Sequence, residues 1–284
     1  LTAKRAKPVV AYGGVYRLVD FALSNLARAA IGDVWIVQQY RPYDLNRHLS
    51  NGRPWDLDRN HGGLLVMPPY TGGDGDGFAE GNADALHRQA EFIRDLAPDV
   101  VVTLSADHVY RLDVGAVLAR HREAGTGCTM VTTELPGHDL TRYAVVGAEE
   151  GRIVRFDYKP DEPEGHLVGT ELFVYDTDLL LDTLDAIAAE EELEDYGHQL
   201  LPRLVKDGRV SEFRHEGYWR DVGTLKAFLG GHLDLLGDEP AFRPDDVRTA
   251  TPARPPAYLG DGASVTDSLV APGARVFGAV ARSV

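Results

Sequence analysis

The 284-residue chain is poor in sulfur, with one cysteine and two methionines. A single cysteine, Cys128, excludes an internal disulfide, which fits a reducing compartment and predicts a cytoplasmic protein. Cys128 stands in an apolar stretch at 127–132, which favours a packed strand residue over a nucleophile. The ten histidines show no zinc-like spacing with one another or with Cys128, so a structural zinc site is not expected.

The chain also lacks long apolar runs and an excess of basic residues. No stretch approaches the length of a membrane span, and the opening residues do not form a signal peptide. The formal net charge of -15 argues against nonspecific binding to nucleic acid or to anionic membranes. We therefore expect neither as a partner, although a local basic pocket for phosphates is compatible with this charge.

Short apolar strands alternate with amphipathic helices along most of the chain. Strands are predicted at 34–37, 100–104, 128–133, 144–146 and 172–175, and helices at 20–30, 83–96, 114–124 and 179–189. Such alternation predicts an α/β fold with a Rossmann-like, doubly wound and mostly parallel sheet. Residues 147–154 predict a hairpin added to that sheet, and the glycine-aspartate segment 71–77 predicts a mobile active-site flap.

Two acidic residues follow or interrupt apolar segments in a way that suggests a metal site. Asp107 comes shortly after the run at 100–104, which predicts a strand buried on both faces of a parallel sheet. An acid at the carboxyl end of such a strand lies where open α/β sheets bind ligands. Asp221 lies between an aromatic-basic pair and a glycine, and two such carboxylates can hold a divalent cation against phosphate oxygens. A turn cap for Asp107 and an internal ion pair for Asp221 are the structural alternatives.

The end of the chain has a different pattern. A Pro-rich linker precedes Leu259, Val265, Ala271 and Phe277, which recur every six residues with glycines between them. This is the hexapeptide period of a parallel β-helix, and a glycine-rich disordered tail is the alternative.

Ordered motifs along nearly the whole chain carry a resemblance to a known family. They are K-R-A-K-P at 4–8, G-G-x-x-R-x-x-D-F-x-L-S-N at 13–25, Q-Y at 39–40, G-x-A-D-A at 81–85, D-H-x-Y at 107–110, K-P at 159–160 and Y-W-R-D-V-G-T at 218–224. With these motifs the sequence resembles the sugar-1-phosphate nucleotidylyltransferases, and within them the ADP-glucose pyrophosphorylases (glucose-1-phosphate adenylyltransferases) of glycogen and starch synthesis.

The resemblance implies an organisation for the chain. It implies a nucleotidyltransferase domain at 1–240, a linker at 241–257 and the beginning of a left-handed β-helix at 258–284. The family's glycine-rich triphosphate loop, G-G-x-G-x-R-L, would stand just before Leu1 with the first strand, and little catalysis is expected without it. Kinship also implies a homotetramer.

The resemblance also implies an activity and a set of site residues. ATP and glucose 1-phosphate would be the substrates, with Mg²⁺ as the cofactor and ADP-glucose and pyrophosphate as the products. The implied roles are Mg²⁺ binding for Asp107 and Asp221; catalysis for both and for Lys7; nucleotide binding for Lys7, Gln39, Gly81 and Asp84; sugar-phosphate binding for Lys159 and Tyr143; and allosteric anion binding for Lys4, Arg5 and Arg17.

Departures from the family pattern lie mainly in the specificity segments. Tyr158 stands where the family usually has a glutamate that contacts sugar hydroxyls, and Glu171 lies in a segment where small residues are usual. Compared with the family pattern, the segment at 78–85 lacks one aromatic residue and carries a charge of the opposite sign at one position. These changes leave two alternatives open: a noncatalytic regulatory paralogue that assembles with an active subunit, or a related enzyme for another sugar 1-phosphate or nucleotide.

Overall fold

The computed structural model of the protein describes residues 5–67 and 79–284. Lys4 and the predicted flap at 71–77 lie outside these residues. The described chain forms two units: the first contains the described residues of 1–66 together with 106–112 and 217–284, and the second contains those of 67–105 together with 113–216. The domain boundaries predicted at 240 and 257 stay predictions.

Eight α-helices lie in the described residues. They are α1 (Leu18–Arg28), α2 (Pro42–Leu49), α3 (Asn82–His87), α4 (Ala90–Leu96), α5 (Val114–Ala124), α6 (Thr177–Glu190), α7 (Leu200–Lys206) and α8 (Leu225–Leu233). The helices predicted at 20–30, 114–124 and 179–189 are confirmed within two residues at each end. The helix predicted at 83–96 is two helices separated by a turn at Arg88 and Gln89, where the Gln89 N–H donates to the Leu86 carbonyl, three residues back, at 3.0 Å.

The strands in the described residues are more numerous than the sequence pattern predicts, and those that match predicted strands are as long or longer. They are β1 (Ala11–Tyr12), β2 (Tyr16–Arg17), β3 (Asp33–Val37), β4 (Gly63–Met67), β5 (Val100–Leu104), β6 (His108–Tyr110), β7 (Cys128–Glu134), β8 (Ala144–Glu149), β9 (Arg152–Tyr158), β10 (Leu167–Asp176), β11 (Val210–Arg214), β12 (Trp219–Asp221), β13 (Tyr258–Leu259), β14 (Ser264–Thr266), β15 (Arg275–Val276) and β16 (Ala279–Ala281). Each of the five predicted strands lies in one of them, and β8 and β9 form the predicted hairpin.

The second unit is built on a six-stranded sheet with the order β5-β10-β7-β11-β9-β8. The prediction of a mostly parallel sheet is wrong here: among the described strands of this sheet, only β7 and β11 pair in parallel, and its other pairings are antiparallel. The fold is mixed α/β. Apolar periodicity reports burial and leaves the direction of the partner strand open, which explains the error.

Strand β5 also differs from the prediction of a strand buried on both faces. It stands at one end of the described sheet, pairs antiparallel with β10, and all five of its residues are half-buried. A continuous apolar run is therefore compatible with an end position whose faces are only partly covered.

The core of the second unit lies between this sheet and the helices α6 and α7. Buried members include Met130, Phe173, Leu184 and Leu201. Cys128 is fully buried in β7, and burial raises the pKa of its thiol. Because the thiolate is the reactive form, this confirms the prediction of a packed strand residue.

The first unit has a core around α1 and the antiparallel pair β6-β12. Tyr12, Phe21 and Val109 are fully buried in it, and the Tyr12 and Phe21 rings meet edge to face with centroids 5.4 Å apart. This packing holds β6, which directly follows Asp107.

The chain's last strands pair in parallel, β13 with β15 and β14 with β16. Each pairing joins segments 15 to 17 residues apart in the sequence, and the side chains of Leu259 and Phe277 are exposed. Parallel pairing at this offset is compatible with the predicted β-helix, which stays a prediction.

Candidate active site

Lys7 opens a short 3₁₀ turn, Lys7–Val9, in which the Val10 N–H donates to the Lys7 carbonyl oxygen at 3.0 Å. Its ammonium forms an ion pair with the Asp107 carboxylate and lies 3.6 Å from Asp221 Oδ1. The side chains of Asp107 and Asp221 are only 17% and 15% exposed, so water screens these charges less than it would on an open surface. The structure thus brings together the three residues predicted to be catalytic.

The ladder between β6 and β12 brings together two segments that are distant in the sequence. In this antiparallel pair, Asp221 stands directly opposite His108. Residues opposite each other in an antiparallel ladder place their side chains on the same face, so the register puts Asp221 beside His108. Asp107 lies just before β6, outside the ladder, and its carboxylate contacts the same Lys7 ammonium as Asp221 does.

His108 lies between the two carboxylates. Its side chain is 5% exposed, and its Nε2 lies 3.7 Å from Asp107 Oδ1 and 3.9 Å from Asp221 Oδ1. These distances exceed hydrogen-bond length, so these two contacts are electrostatic. The Trp219 ring packs against the imidazole at 75°, with centroids 4.9 Å apart, and fixes its orientation.

A polar network supports β12 from the other side of Asp221. Arg220 pairs with Asp234 at 2.7 Å, and the Tyr218 hydroxyl donates to the same carboxylate at 2.7 Å. Burial, followed by the neighbouring Tyr12, raises the pKa of Tyr218, which keeps this phenol neutral. Thr224 then caps α8 by accepting the Ala227 N–H at 3.0 Å.

Helix α1 contacts the β6 segment through Asn25, the last residue of the 13–25 motif. The Asn25 side chain is fully buried; its Oδ1 accepts from the Leu112 N–H at 3.0 Å, and its Nδ2 donates to the Tyr110 carbonyl at 3.5 Å. Both partners lie just after His108. In the sequence, only the position of Asn25 within the 13–25 motif indicated that this residue has a role.

Lys159 lies in the second unit, directly after β9. Its backbone has φ +50, and its N–H donates to the Tyr143 carbonyl at 3.0 Å. Its exposed ammonium donates to the Tyr158 hydroxyl at 2.7 Å, and that hydroxyl donates to Asp195 Oδ2 at 3.0 Å. Burial, together with Asp195, raises the pKa of Tyr158 and keeps the phenol neutral. The two predicted sugar-phosphate residues, Lys159 and Tyr143, are thus in backbone contact.

Gly81 and Asp84 have structural partners at the start of α3. A Cβ at Gly81 would collide with the backbone of Glu194, whose carbonyl accepts the Ala83 N–H at 3.0 Å. The buried Asp84 carboxylate pairs with Arg88 at 2.9 Å and accepts the Glu80 N–H at 3.0 Å. Their predicted role in nucleotide binding stays a prediction, as does that of Gln39, which lies half-buried two residues after β3.

The predicted anion-site residues lie near Lys7 in the sequence. Arg5 is exposed, and Arg17 is half-buried at the start of α1 with its N–H donating to Asp20 Oδ2 at 2.8 Å. Asp20 is fully buried, and its other oxygen contacts His48 Nε2 at 2.5 Å. The Asp20 carboxylate of the motif therefore has a structural part in fixing the beginning of α1.

Two kinds of feature are absent from residues 5–67 and 79–284. No helix there has the length and apolar character needed to cross a membrane. In the same residues, no group of three or more histidine, cysteine, aspartate or glutamate side chains could hold a metal ion.

Comparison with known families defines the class of protein. The sequence model of the nucleotidyl transferase family matches residues 1–237, which is most of the chain. The chain is therefore a nucleotidyl transferase by family.

Curated relatives narrow this class. The chain is 35% identical over 290 residues to a protein of Thermosipho africanus, 39% over 284 residues to one of Thermomicrobium roseum, and 35% over 292 residues to one of Halalkalibacterium halodurans. The alignments cover 97–100% of this chain and 66–76% of these relatives, and all three are named glucose-1-phosphate adenylyltransferase. The chain belongs to the glucose-1-phosphate adenylyltransferase family, as its motifs predicted.

Proposed function

We propose that this protein transfers the adenylyl group of ATP to glucose 1-phosphate, forming ADP-glucose and pyrophosphate for the synthesis of a glycogen-type glucan. The convergence of Asp107, Asp221 and Lys7 in one half-buried cluster carries the proposal. Family membership supports the choice of substrates, because the relatives' names specify adenylyl transfer to glucose 1-phosphate.

In this reaction a phosphate oxygen of glucose 1-phosphate attacks the α-phosphorus of ATP. A new oxygen-phosphorus bond forms as the bond to the bridging oxygen of the β-phosphate breaks, and pyrophosphate leaves with that electron pair. The protein's main tasks are to position two anions in line and to stabilise negative charge. Lys7 meets the second task, since its ammonium is the cationic member of the cluster and a flexible point charge can follow the phosphates.

The residues at this cluster fit Mg²⁺. Mg²⁺ prefers oxygen ligands and is commonly held by one or two carboxylates together with substrate phosphates and water, so two aspartates are a sufficient protein contribution. The Lys7 ammonium lies against both carboxylates and occupies the position of a cation. When bound, Mg²⁺ would neutralise phosphate charge and favour departure of pyrophosphate. Asp107 and Asp221 would hold it, and His108 would keep the carboxylates apart at a fixed spacing.

Lys159 is proposed to bind the phosphate of glucose 1-phosphate. Its ammonium is exposed and donates to the neutral phenol of Tyr158, so its charge is available to an anion. The Tyr143 carbonyl fixes the Lys159 backbone in a left-handed conformation, which sets the direction of the side chain. Gln39, Gly81 and Asp84 are proposed to line the nucleotide pocket.

The proposals for regulation and assembly are based on the resemblance to the family. Arg5 and Arg17, with Lys4, are proposed to bind a phosphorylated effector, and the protein is proposed to form a homotetramer in the cytoplasm.

One observation favours a second candidate, a noncatalytic regulatory subunit. The Asp84 carboxylate, predicted to line the nucleotide pocket, is engaged with Arg88 and with the Glu80 N–H. A subunit with this pocket altered would bind effectors and assemble with an active partner without turnover. A related enzyme that uses another sugar 1-phosphate or nucleotide is the third candidate.

Pyrophosphate release separates these candidates. The protein, expressed with any residues that its gene encodes before Leu1 and after Val284, is incubated with Mg²⁺ and each pairing of a nucleoside triphosphate with a sugar 1-phosphate. Release with ATP and glucose 1-phosphate supports the proposal, whereas preference for another pairing supports the third candidate. No release with any pairing would eliminate both enzymes and leave the regulatory subunit.

A further inference from the structure

Two consecutive glycines, Gly230 and Gly231, lie inside helix α8. Glycine is unfavourable in a helix interior, because it loses more conformational freedom on folding than any other residue. Neither glycine has a positive φ, so the backbone conformation of the helix would accept a residue with a Cβ. The reason for the glycine pair therefore has to be sought in what packs against it.

The side chains of Arg220 and Tyr12 occupy the space next to the two glycines. A Cβ at Gly230 would lie 2.7 Å from Arg220 Nη1, which is too close for two heavy atoms that are not bonded. A Cβ at Gly231 would lie 3.1 Å from Arg220 Cδ and 3.1 Å from the Tyr12 hydroxyl oxygen. The glycine pair thus allows both side chains to lie directly against α8.

The end of α8 also holds the charged group of Arg220. The guanidinium pairs through Nη2 with Asp234 at 2.7 Å, and its Nε donates to the Tyr218 hydroxyl at 3.0 Å. The side chains of the pair are only 26% and 23% exposed, so this contact is stronger than an ion pair on an open surface. Because Arg220 directly precedes Asp221 in β12, the pair fixes the backbone beside the proposed metal ligand.

The same end of α8 holds the segment that follows Lys7. The Tyr12 hydroxyl donates at 2.5 Å to the Gly231 carbonyl, which belongs to the last helical turn, where carbonyls lack helical partners. The Gly13 N–H donates to His232 Nε2 at 3.3 Å. Tyr12 ends strand β1, which begins shortly after the 3₁₀ turn that Lys7 opens. Residues 230–234 therefore contact both the strand that carries Asp221 and the segment next to Lys7.

We infer that residues 230–234 are a positioning element, which fixes Asp221 relative to Lys7 through Arg220 and Tyr12. The inference rests on the proposed function for the role of this cluster in Mg²⁺ binding and adenylyl transfer. Functional groups have to be held within about 0.5 Å of their working geometry by the residues behind them. Arg220 and Asp234 are accordingly positioning residues, which act through the backbone of Asp221.

Gly230→Ala tests this role without removing a polar group. The new methyl displaces only the flexible end of Arg220, and alanine favours the helix, so the melting temperature should not fall. Mn²⁺ affinity, measured by electron paramagnetic resonance without substrates, should fall about 10-fold, as is typical when a residue behind a metal ligand is changed. In the pyrophosphate assay, kcat should fall by a similar factor, with little change in KM for glucose 1-phosphate.

Gly115→Ala is the matched control for this variant. Gly115 is an exposed glycine in helix α5 of the second unit, and a Cβ there would lie 3.1 Å from the exposed Asp113 carboxylate. The control should keep the Mn²⁺ affinity and kcat of the wild type. Wild-type values of both quantities in Gly230→Ala would overturn the inference.

Asp234→Asn removes the charge that holds the guanidinium, at nearly constant volume. Mn²⁺ affinity should again fall about 10-fold, and the double variant with Gly230→Ala should show no larger loss than either single variant, because both changes act through Arg220. Asp58→Asn is the control, since Asp58 accepts two hydrogen bonds from Arg53, at 2.9 and 3.0 Å, on an exposed surface. Additive losses in the double variant would contradict the inference, because they would mean two independent effects.

Mn²⁺ binding needs no turnover, so it distinguishes failure of this inference from failure of the proposed function. If the wild type releases no pyrophosphate but both variants weaken Mn²⁺ binding, the proposed function fails and the inference stands. If the wild type forms ADP-glucose while both variants keep its Mn²⁺ affinity and kcat, the inference fails and the function stands. A wild type that binds no Mn²⁺ would also overturn the inference, because residues 230–234 would then have no metal site to position.

Discussion

Lys7 in the first unit and Lys159 in the second are both proposed to act on phosphates, but their partners differ in charge. Lys7 contacts two carboxylates, whereas Lys159 contacts a neutral phenol that connects it to Asp195. Their backbones differ as well, since Lys7 begins a 3₁₀ turn and Lys159 has a positive φ.

The difference suggests two different uses of a lysine. Two carboxylates and one ammonium leave the Lys7 cluster with an excess negative charge, which favours a further cation. A divalent ion at Asp107 and Asp221 would repel the ammonium and direct it toward the phosphates of the nucleotide. The neutral phenol of Tyr158 does not compensate the charge of Lys159, so this lysine is suited to direct binding of an anion. The first lysine would therefore contribute to turnover, and the second to affinity.

The largest expected effect is on turnover when a carboxylate of the Lys7 cluster is removed. Asp107→Asn keeps the side-chain volume but removes the proposed metal ligand, so kcat should fall by more than about 100-fold, corresponding to several kcal/mol of lost charge stabilisation. Folding stability should change by less than about 1 kcal/mol, because the site is partly hydrated. Steady-state kinetics with thermal unfolding measures both.

Asp44→Asn is the control for this variant. Asp44 forms an exposed pair with Arg47 on α2, at 3.3 Å, and should affect neither measurement. Wild-type turnover in Asp107→Asn would mean that any metal is held elsewhere, and the contrast between the two lysines would lose its basis.

The second prediction concerns Asn25, whose hydrogen bonds connect α1 to the β6 segment next to Asp107. Asn25→Ala leaves the buried Leu112 N–H and Tyr110 carbonyl without the Asn25 side chain, and we expect it to lower the free energy of unfolding by about 2 kcal/mol. Mn²⁺ affinity, measured by electron paramagnetic resonance, should fall too, because β6 positions Asp107. Asn46→Ala removes a hydrogen bond with Gln38 away from β6 and should leave Mn²⁺ affinity unchanged. A stable Asn25→Ala with full Mn²⁺ affinity would show that β6 needs no support from α1.

Some features of the two lysine sites could be predicted from the sequence, and others could not. The resemblance implied that Asp107 and Asp221 lie together, and in the structure both carboxylates contact the Lys7 ammonium. The antiparallel direction of the β6-β12 pair was not predicted. No local pattern reveals the direction of a partner strand, and for the same reason β5 was assigned to a parallel sheet. The positive φ of Glu171 (+56) could not be predicted either, because a sequence indicates a positive φ clearly only at glycine or asparagine.

The third prediction tests whether Lys159 acts on affinity. Lys159→Gln removes a charge-assisted contact, so KM for the sugar 1-phosphate should rise at least about 10-fold while kcat changes by less than about threefold. Lys206→Gln, at an exposed position near the end of α7, is the control and should leave both parameters unchanged. A fall in kcat with constant KM would assign Lys159 to the transition state and remove the distinction from Lys7.

The smallest effect is expected for Tyr158→Phe. The variant keeps the ring that packs against His198, with centroids 4.8 Å apart, but removes the hydroxyl between Lys159 and Asp195. We expect a loss of about 1 kcal/mol in the free energy of unfolding, measured by urea denaturation, since both hydrogen bonds are partly exposed to water. KM for the sugar 1-phosphate should change less than in Lys159→Gln, because the lysine keeps its charge and loses only its orientation. Tyr40→Phe removes a comparable but exposed contact with Arg41, at 2.9 Å, and should cost almost nothing. A KM increase as large as that of Lys159→Gln would mean that the hydroxyl itself binds the ligand, so that a neutral donor shares the role assigned to the lysine.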